Sequence, residues 1–195
     1  MSLVIGTLLI VAADGGRQNT AAAIFAGSVA ACFGASALYH RVDWTPRPRL
    51  WMRRLDHAGV YLLIAGTYTP MCLLVLDGAW RLAVLAAVWA GAAAAVMLRI
   101  VWDAAPAWLA AVIGLALGWA AIVMAPQLVS RLNPAALVLL GVGGLAYTAG
   151  AIVYAGRRPD PAPAVFGYHE LFHALTILAA SCQYVAIAFF VIRVG

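Results

Sequence analysis

Long apolar runs separated by short polar turns make up the chain, and this pattern predicts helices that cross a membrane. The first run, residues 1–13, is apolar but shorter than the roughly 20 residues a span needs. It has neither the charged start nor the cleavage site of a signal peptide; it reads either as a longer first helix clipped at its start, the favoured reading, or as a short, imperfect first span. Asp14-Gly15-Gly16-Arg17 reads as the first turn. A second span covers residues 20–40 and is rich in Ala and Gly, which let helices approach closely in lipid. Residues 41–54 form the most polar stretch and are expected to be a loop. It carries Arg41, Arg47, Arg49, Arg53 and Arg54 with Pro46 and Pro48.

Asp56 opens the third span, residues 56–76, which Pro70 should kink while Tyr68 and Thr69 satisfy the backbone groups released there. Asp77-Gly78 marks a tight turn, and tryptophans flank the fourth span, residues 80–102. After a turn at 103–106 come the fifth span, 107–124, a polar connection at 126–134, and the sixth span, 135–154. A Pro-rich loop at 157–163 leads to the seventh, 165–192. The expected fold is therefore all-α: a seven-helix bundle in a single transmembrane domain over residues 1–195, with no internal repeat.

Composition sharpens this picture. The chain is 66% hydrophobic and 10% charged, against about half and a quarter in soluble domains. Membrane lipid is then the solvent for most of its surface. The net charge of +5 comes from twelve arginines and no lysine. These charges lie in short loops and form no single patch, which argues against a nucleic-acid partner. Alternating spans place Arg41, Arg47, Arg49, Arg53, Arg54, Arg99, Arg157 and Arg158 on one side, against Arg17, Arg81, Arg131 and Arg193 on the other. Eight against four predicts a cytoplasmic N-terminus. The three cysteines, Cys32, Cys72 and Cys182, fall in separate runs and read as small packing residues.

The chemistry-bearing residues fall at span ends. His169 and His173 are four apart at the start of the last run, so they share a helix face roughly 6 Å apart along the axis and can reach one metal ion. His40 ends the second span, and Ser36 lies one turn deeper on the same face. By alternation, Ser36, His40, Asp56, His169 and His173 meet near the cytoplasmic face. Three imidazoles with an open position make the ligand set of a hydrolytic zinc site, and a nearby carboxylate can take a proton from water. Each residue also has a plainer reading. A histidine at a helix end can be an interfacial hydrogen bonder, Asp56 a helix cap, and Ser36 a packing residue bonded to a carbonyl. His57 points about 100° away from Asp56 and reads as a polar residue at the interface or beside the site.

Three blocks together resemble the hemolysin III family, and more widely the progestin and adiponectin receptor (PAQR) family. They are Ser36-Ala37-Leu38-Tyr39-His40, Leu55-Asp56-His57-Ala58-Gly59 continuing to Gly66-Thr67-Tyr68-Thr69-Pro70, and Phe166-Gly167-Tyr168-His169-Glu170-Leu171-Phe172-His173. Gly118-Trp119 and Tyr147 also look like the family. The resemblance implies a seven-helix membrane bundle with a cytoplasmic N-terminus. It also implies zinc (Zn2+) on His40, His169 and His173, with Asp56 near the water and Ser36 as the family's serine. Alkaline ceramidases belong to the wider superfamily, which implies hydrolysis of a lipid-like amide. The family usually has a longer segment before the second span, and often a histidine where this chain has Gln183.

The first functional expectation is a membrane zinc hydrolase acting on a lipid-like small-molecule amide or ester, with Asp56 and Ser36 as catalytic residues. The alternative is a receptor or signalling protein, or a pore-forming hemolysin, with a structural zinc. The spans lack the consistent polar stripe that would line a pore. His169-Glu170-x-x-His173 is also the zinc-protease motif, and Leu76-Asp77-Gly78 resembles the aspartate motif of intramembrane proteases. There the histidine motif comes first in the chain, and here the order is reversed.

Overall fold

The computed structural model describes residues 2–11, 13, 15–102, 105–163 and 165–192, with side chains for all of these except 2–5. Asp14, Asp103 and Arg193, read above as turn or flanking residues, lie outside the described residues. The elements are α1 (Ser2–Val11), α2 (Gly16–Arg41), α3 (Pro46–Pro70), α4 (Gly78–Val101), α5 (Ala107–Trp119), α6 (Ala125–Arg131), α7 (Pro134–Gly156) and α8 (Tyr168–Ala186). A π-helical turn, Met71–Val75, prolongs α3, and another, Ile187–Val191, prolongs α8. A 3₁₀ segment, Ala120–Met124, joins α5 to α6. No strand occurs among the described residues, and one isolated bridge pairs Ala162 with Phe166.

Among the described residues, six helices are long and apolar enough to cross a membrane: Gly16–Arg41, Pro46–Val75, Gly78–Val101, Ala107–Arg131, Pro134–Gly156 and Tyr168–Val191. Of the seven expected spans, the first is the one not among these six. Its 10 residues reach about 15 Å at helical rise, half the thickness of the hydrocarbon layer. Large apolar side chains on the long helices stay exposed, among them Leu82, Val101, Val129 and Ile152. A membrane protein places such faces against lipid, and the chain is an integral membrane protein.

Two expected loops are helical, and proline explains both. Pro46 stands at the first position of α3, where a missing N–H costs nothing, and Arg49 N–H donates the first helical bond to Thr45 O at 3.0 Å. The basic stretch from Arg47 to Arg54 thus forms the opening turns of α3, and Asp56 is the eleventh residue of that helix. Pro126 likewise sits in the first turn of α6, so the fifth span continues to Arg131. At Pro70 the chain passes into the π turn, where Leu76 N–H donates to Met71 O at 3.1 Å. Thr69 donates to Ala65 O at 3.0 Å and accepts from Trp89 Nε1 at 3.1 Å, which ties α3 to α4. Arg17 donates to the carbonyl of Leu73 within the π turn.

The chain forms two compact units, one within Met1–Asp103 with Val191–Gly195, the other within Ala104–Phe190. In the first, α2 packs on α3 through glycines two turns apart. A Cβ on Gly59 would stand 2.9 Å from Cys32 Cα, and one on Gly66 would collide with the Ser28 side chain. Ala21, Ala22 and Ala26 of α2 are also buried, and Ala26 meets α1, where a Cβ on Gly6 would stand 3.0 Å from Ala26 Cβ. The three cysteines are free, and Cys32 fills the seam as a small residue, as read above. The second unit repeats the device with α7 on α8. A Cβ on Gly143 would stand 3.2 Å from Ala179 O, and one on Gly150 would stand 3.4 Å from Leu175 Cβ. Trp119 Nε1 donates to Thr148 Oγ1 at 3.1 Å and fixes α5 to α7.

The Gly66 contact is open to test. Gly66→Ala should destabilise the protein by about 1–3 kcal/mol through overpacking, and adding Ser28→Gly should recover part of that loss. Thermal unfolding of the detergent-solubilised variants measures both. A Gly66→Ala protein as stable as the parent would contradict the close approach of α2 and α3.

Candidate metal centre

In the second unit the start of α8 is held from several directions. Gly167 caps the helix, and its N–H donates to Glu170 Oε2 at 2.9 Å. Tyr168 N–H donates to Asp160 Oδ1 at 2.9 Å, which ties the preceding loop to the first turn. A carboxylate at this helix end also complements the positive end of the helix dipole. These bonds fix His169 and His173 on successive turns, both half-buried. Their Nε2 atoms lie 3.0 Å apart, with the rings nearly perpendicular at 86°. The pairing expected from the spacing of four is thus formed.

Aromatic rings back the pair. Tyr154 of α7 packs on Phe172 at 5.0 Å and stands 6.4 Å from His169, while Phe172 contacts His173 at 5.3 Å between centroids. Periodicity in the sequence could not have brought Tyr154 to the histidines, because it belongs to another helix. Asp160 was missed for a similar reason: its only signal was a carboxylate in a Pro-rich loop shortly before a helix start. Gln183, two helical turns or more beyond His173, is buried and donates to Leu140 O at 3.4 Å.

In the first unit, His40 is the penultimate residue of α2. Its Nε2 lies 3.9 Å from Asp56 Oδ2, with the His40 side chain 38% exposed and that of Asp56 13% exposed. The Tyr39 ring stands edge-on to His40 at 4.8 Å. Asp56 lies well inside α3 and caps nothing, so the capping reading falls away. Ser36 sits one turn before His40 and is half-buried, and among the described residues no hydrogen bond joins it to His40 or Asp56. His57 Nδ1 bonds Arg53 O at 2.6 Å, and since a carbonyl only accepts, this nitrogen carries the proton. His57 is therefore tied back to its own helix, as befits a residue turned away from Asp56.

His169 and His173 are a candidate metal-binding pair within the second unit, each offering one ring nitrogen. A neutral imidazole has one acceptor nitrogen for a metal, and the tautomer decides which ring nitrogen that is.

Comparisons with known proteins find relatives over most of the chain. The chain is 26% identical over 171 residues to the hemolysin-3 homolog of Bacillus subtilis (strain 168), covering 88% of this chain and 77% of that protein. It is 27% identical over 198 residues to hemolysin-3 of Bacillus cereus, covering 97% of this chain and 86% of that one. The sequence pattern of the family described as haemolysin-III related matches residues 1–184, and the chain belongs to that family.

Proposed function

We propose that this membrane protein is a zinc protein of the hemolysin III and PAQR type that hydrolyses lipid-like amides or esters. The observation that carries the reading is the His169–His173 pair, with two ring nitrogens 3.0 Å apart on an anchored helix start. Two zinc–nitrogen bonds of about 2.0–2.1 Å at a tetrahedral angle set their nitrogens about 3.3 Å apart. A small adjustment would therefore bring both rings onto one ion. Imidazoles suit borderline-soft zinc, whereas magnesium and calcium take oxygen ligands.

His40 is the proposed third donor. Its support is the alternation of spans: α4, the span Ala107–Arg131 and α7 lie between α3 and α8. In a membrane, α8 then begins on the face where α2 ends and α3 begins. This parity does not involve α1. The arginine balance assigns that face to the cytoplasm.

When bound, zinc supplies a Lewis acid that polarises the carbonyl and acidifies water. Asp56 accepts the proton of the attacking water at its carboxylate and passes it to the leaving amine or alcohol. Ser36 donates a hydrogen bond to substrate or water. The apolar part of the substrate reaches the site from the bilayer. A second reading is a receptor or signalling protein with a structural zinc. The ring packing of Tyr154 and Phe172 beside His169 favours it, because those rings restrict approach to that side of the pair.

Metal analysis of purified protein should find one zinc per chain, with loss in His40→Ala, His169→Ala and His173→Ala. Unchanged zinc in all three variants would end the assignment. Asp56→Asn should keep zinc yet lower the release of fatty acid from lipid amides or esters by about 10²–10⁴-fold. Ser36→Ala should cost less, since it removes one neutral hydrogen bond. Zinc without release from any substrate, in a folded parent protein, would favour the structural role. For orientation, Arg47→Cys should resist an impermeant thiol reagent in intact cells and react once the cells are opened. Labelling in intact cells would reverse the assigned topology.

A further inference from the structure

Beside His40, at the turn between α2 and α3, lies a cavity of about 300 Å³ lined by Tyr39, His40, Val42, Asp43, Trp44 and Arg49. The turn is built and not merely draped. Trp44 Nε1 donates to Leu38 O at 2.9 Å and Val42 N–H donates to the same carbonyl at 3.3 Å, so both clamp onto the last turn of α2. Arg49 stands in the first turn of α3, its N–H bonded to Thr45 O at 3.0 Å. Asp43 and Arg49 carry opposite charges into one cavity, and no ion pair joins them among the described residues.

We infer that this cavity recognises a zwitterionic lipid head group, with a phosphate on Arg49 and an ammonium between Asp43 and the Trp44 and Tyr39 rings. The assignment deepens the hydrolase proposal, on which its description as a substrate site rests. Arginine presents a planar fork of donors that matches phosphate oxygens. A carboxylate and aromatic faces together favour an ammonium. A purely anionic head group would meet the Asp43 carboxylate, and a purely cationic one the Arg49 guanidinium. The mixed pair therefore selects for a ligand carrying both signs. The flanking aromatic residues at a span end suit the level at which lipid head groups lie. His40 lines the same cavity, so a head group held there would bring the adjoining part of a lipid to one of the proposed zinc donors.

Native mass spectrometry of the zinc-loaded, detergent-purified protein, titrated with phosphatidylethanolamine or phosphatidylglycerol, tests this. The parent should prefer phosphatidylethanolamine. Arg49→Gln should weaken that binding at least about tenfold, the loss expected for a charge-assisted hydrogen bond. Asp43→Asn should weaken phosphatidylethanolamine and strengthen phosphatidylglycerol, reversing the preference. Equal binding of both lipids by the parent, or variants indistinguishable from it, would overturn the inference. The readout is independent of turnover: failure of the hydrolase reading shows in fatty-acid release, failure of the head-group site in the lipid preference alone.

Discussion

Helices in lipid gain little from burying apolar side chains against one another, because the lipid is equally apolar. Association then depends on how closely the backbones approach. In this protein that approach is set by glycines two turns apart on one helix of each main pair. Gly59 and Gly66 bring α3 onto α2, and Gly143 and Gly150 bring α7 onto α8. The consequence reaches the chemistry. His40 and Asp56 come within 3.9 Å because α2 and α3 lie close enough for short side chains to bridge them. Tyr154 can back His169 because α7 lies equally close to α8. A larger residue at Gly59 or Gly66 would push α2 and α3 apart and move His40 and Asp56, even though these glycines touch no reactant.

The long apolar runs were legible in the sequence because hydrocarbon requires backbone groups to be paired within the segment, and only helices do so locally. The His169–His173 pair was legible because spacing of four on a helix is a geometric fact. Proline misled at Pro46 and Pro126. Both lie in stretches expected to be connections, yet each sits in a first turn, where no N–H partner is needed. The shortness of the first apolar run was equally legible, and α1 with its 10 residues is the helix that separates the expected seven spans from the six long ones. Contacts such as Tyr154 with His169, or Asp160 with the α8 start, join distant positions and left no mark in any periodic pattern.

The extension of α3 also changes the meaning of its arginines. As a loop, Arg47 to Arg54 would be a flexible basic tether at the membrane edge. As helix, the same residues are displayed at fixed angles, with Arg54 lying 4.9 Å over the exposed Trp51 ring. Arg49 is thereby given a defined position at the cavity beside His40. A stretch that composition alone treats as a topology signal becomes part of the surroundings of the proposed site.

Two acids exchange the roles their positions in the sequence suggested. Asp56, at what looked like a helix start, had capping as its plain explanation, while Glu170 stood where a zinc protease keeps its general base. In the structure Glu170 is the cap, accepting the Gly167 N–H at 2.9 Å beside the positive end of α8. That bond makes the metal-pair motif a helix-start motif as well. Asp56 caps nothing: eleven residues into α3, it is mostly shielded and faces the His40 ring. A largely buried carboxylate inside a membrane helix is costly to keep there, and neither helix capping nor a backbone bond accounts for it. Its place beside a histidine is compatible with the proposed proton-accepting role, and the contrast with Glu170, already engaged as a cap, leaves Asp56 the better placed of the two acids.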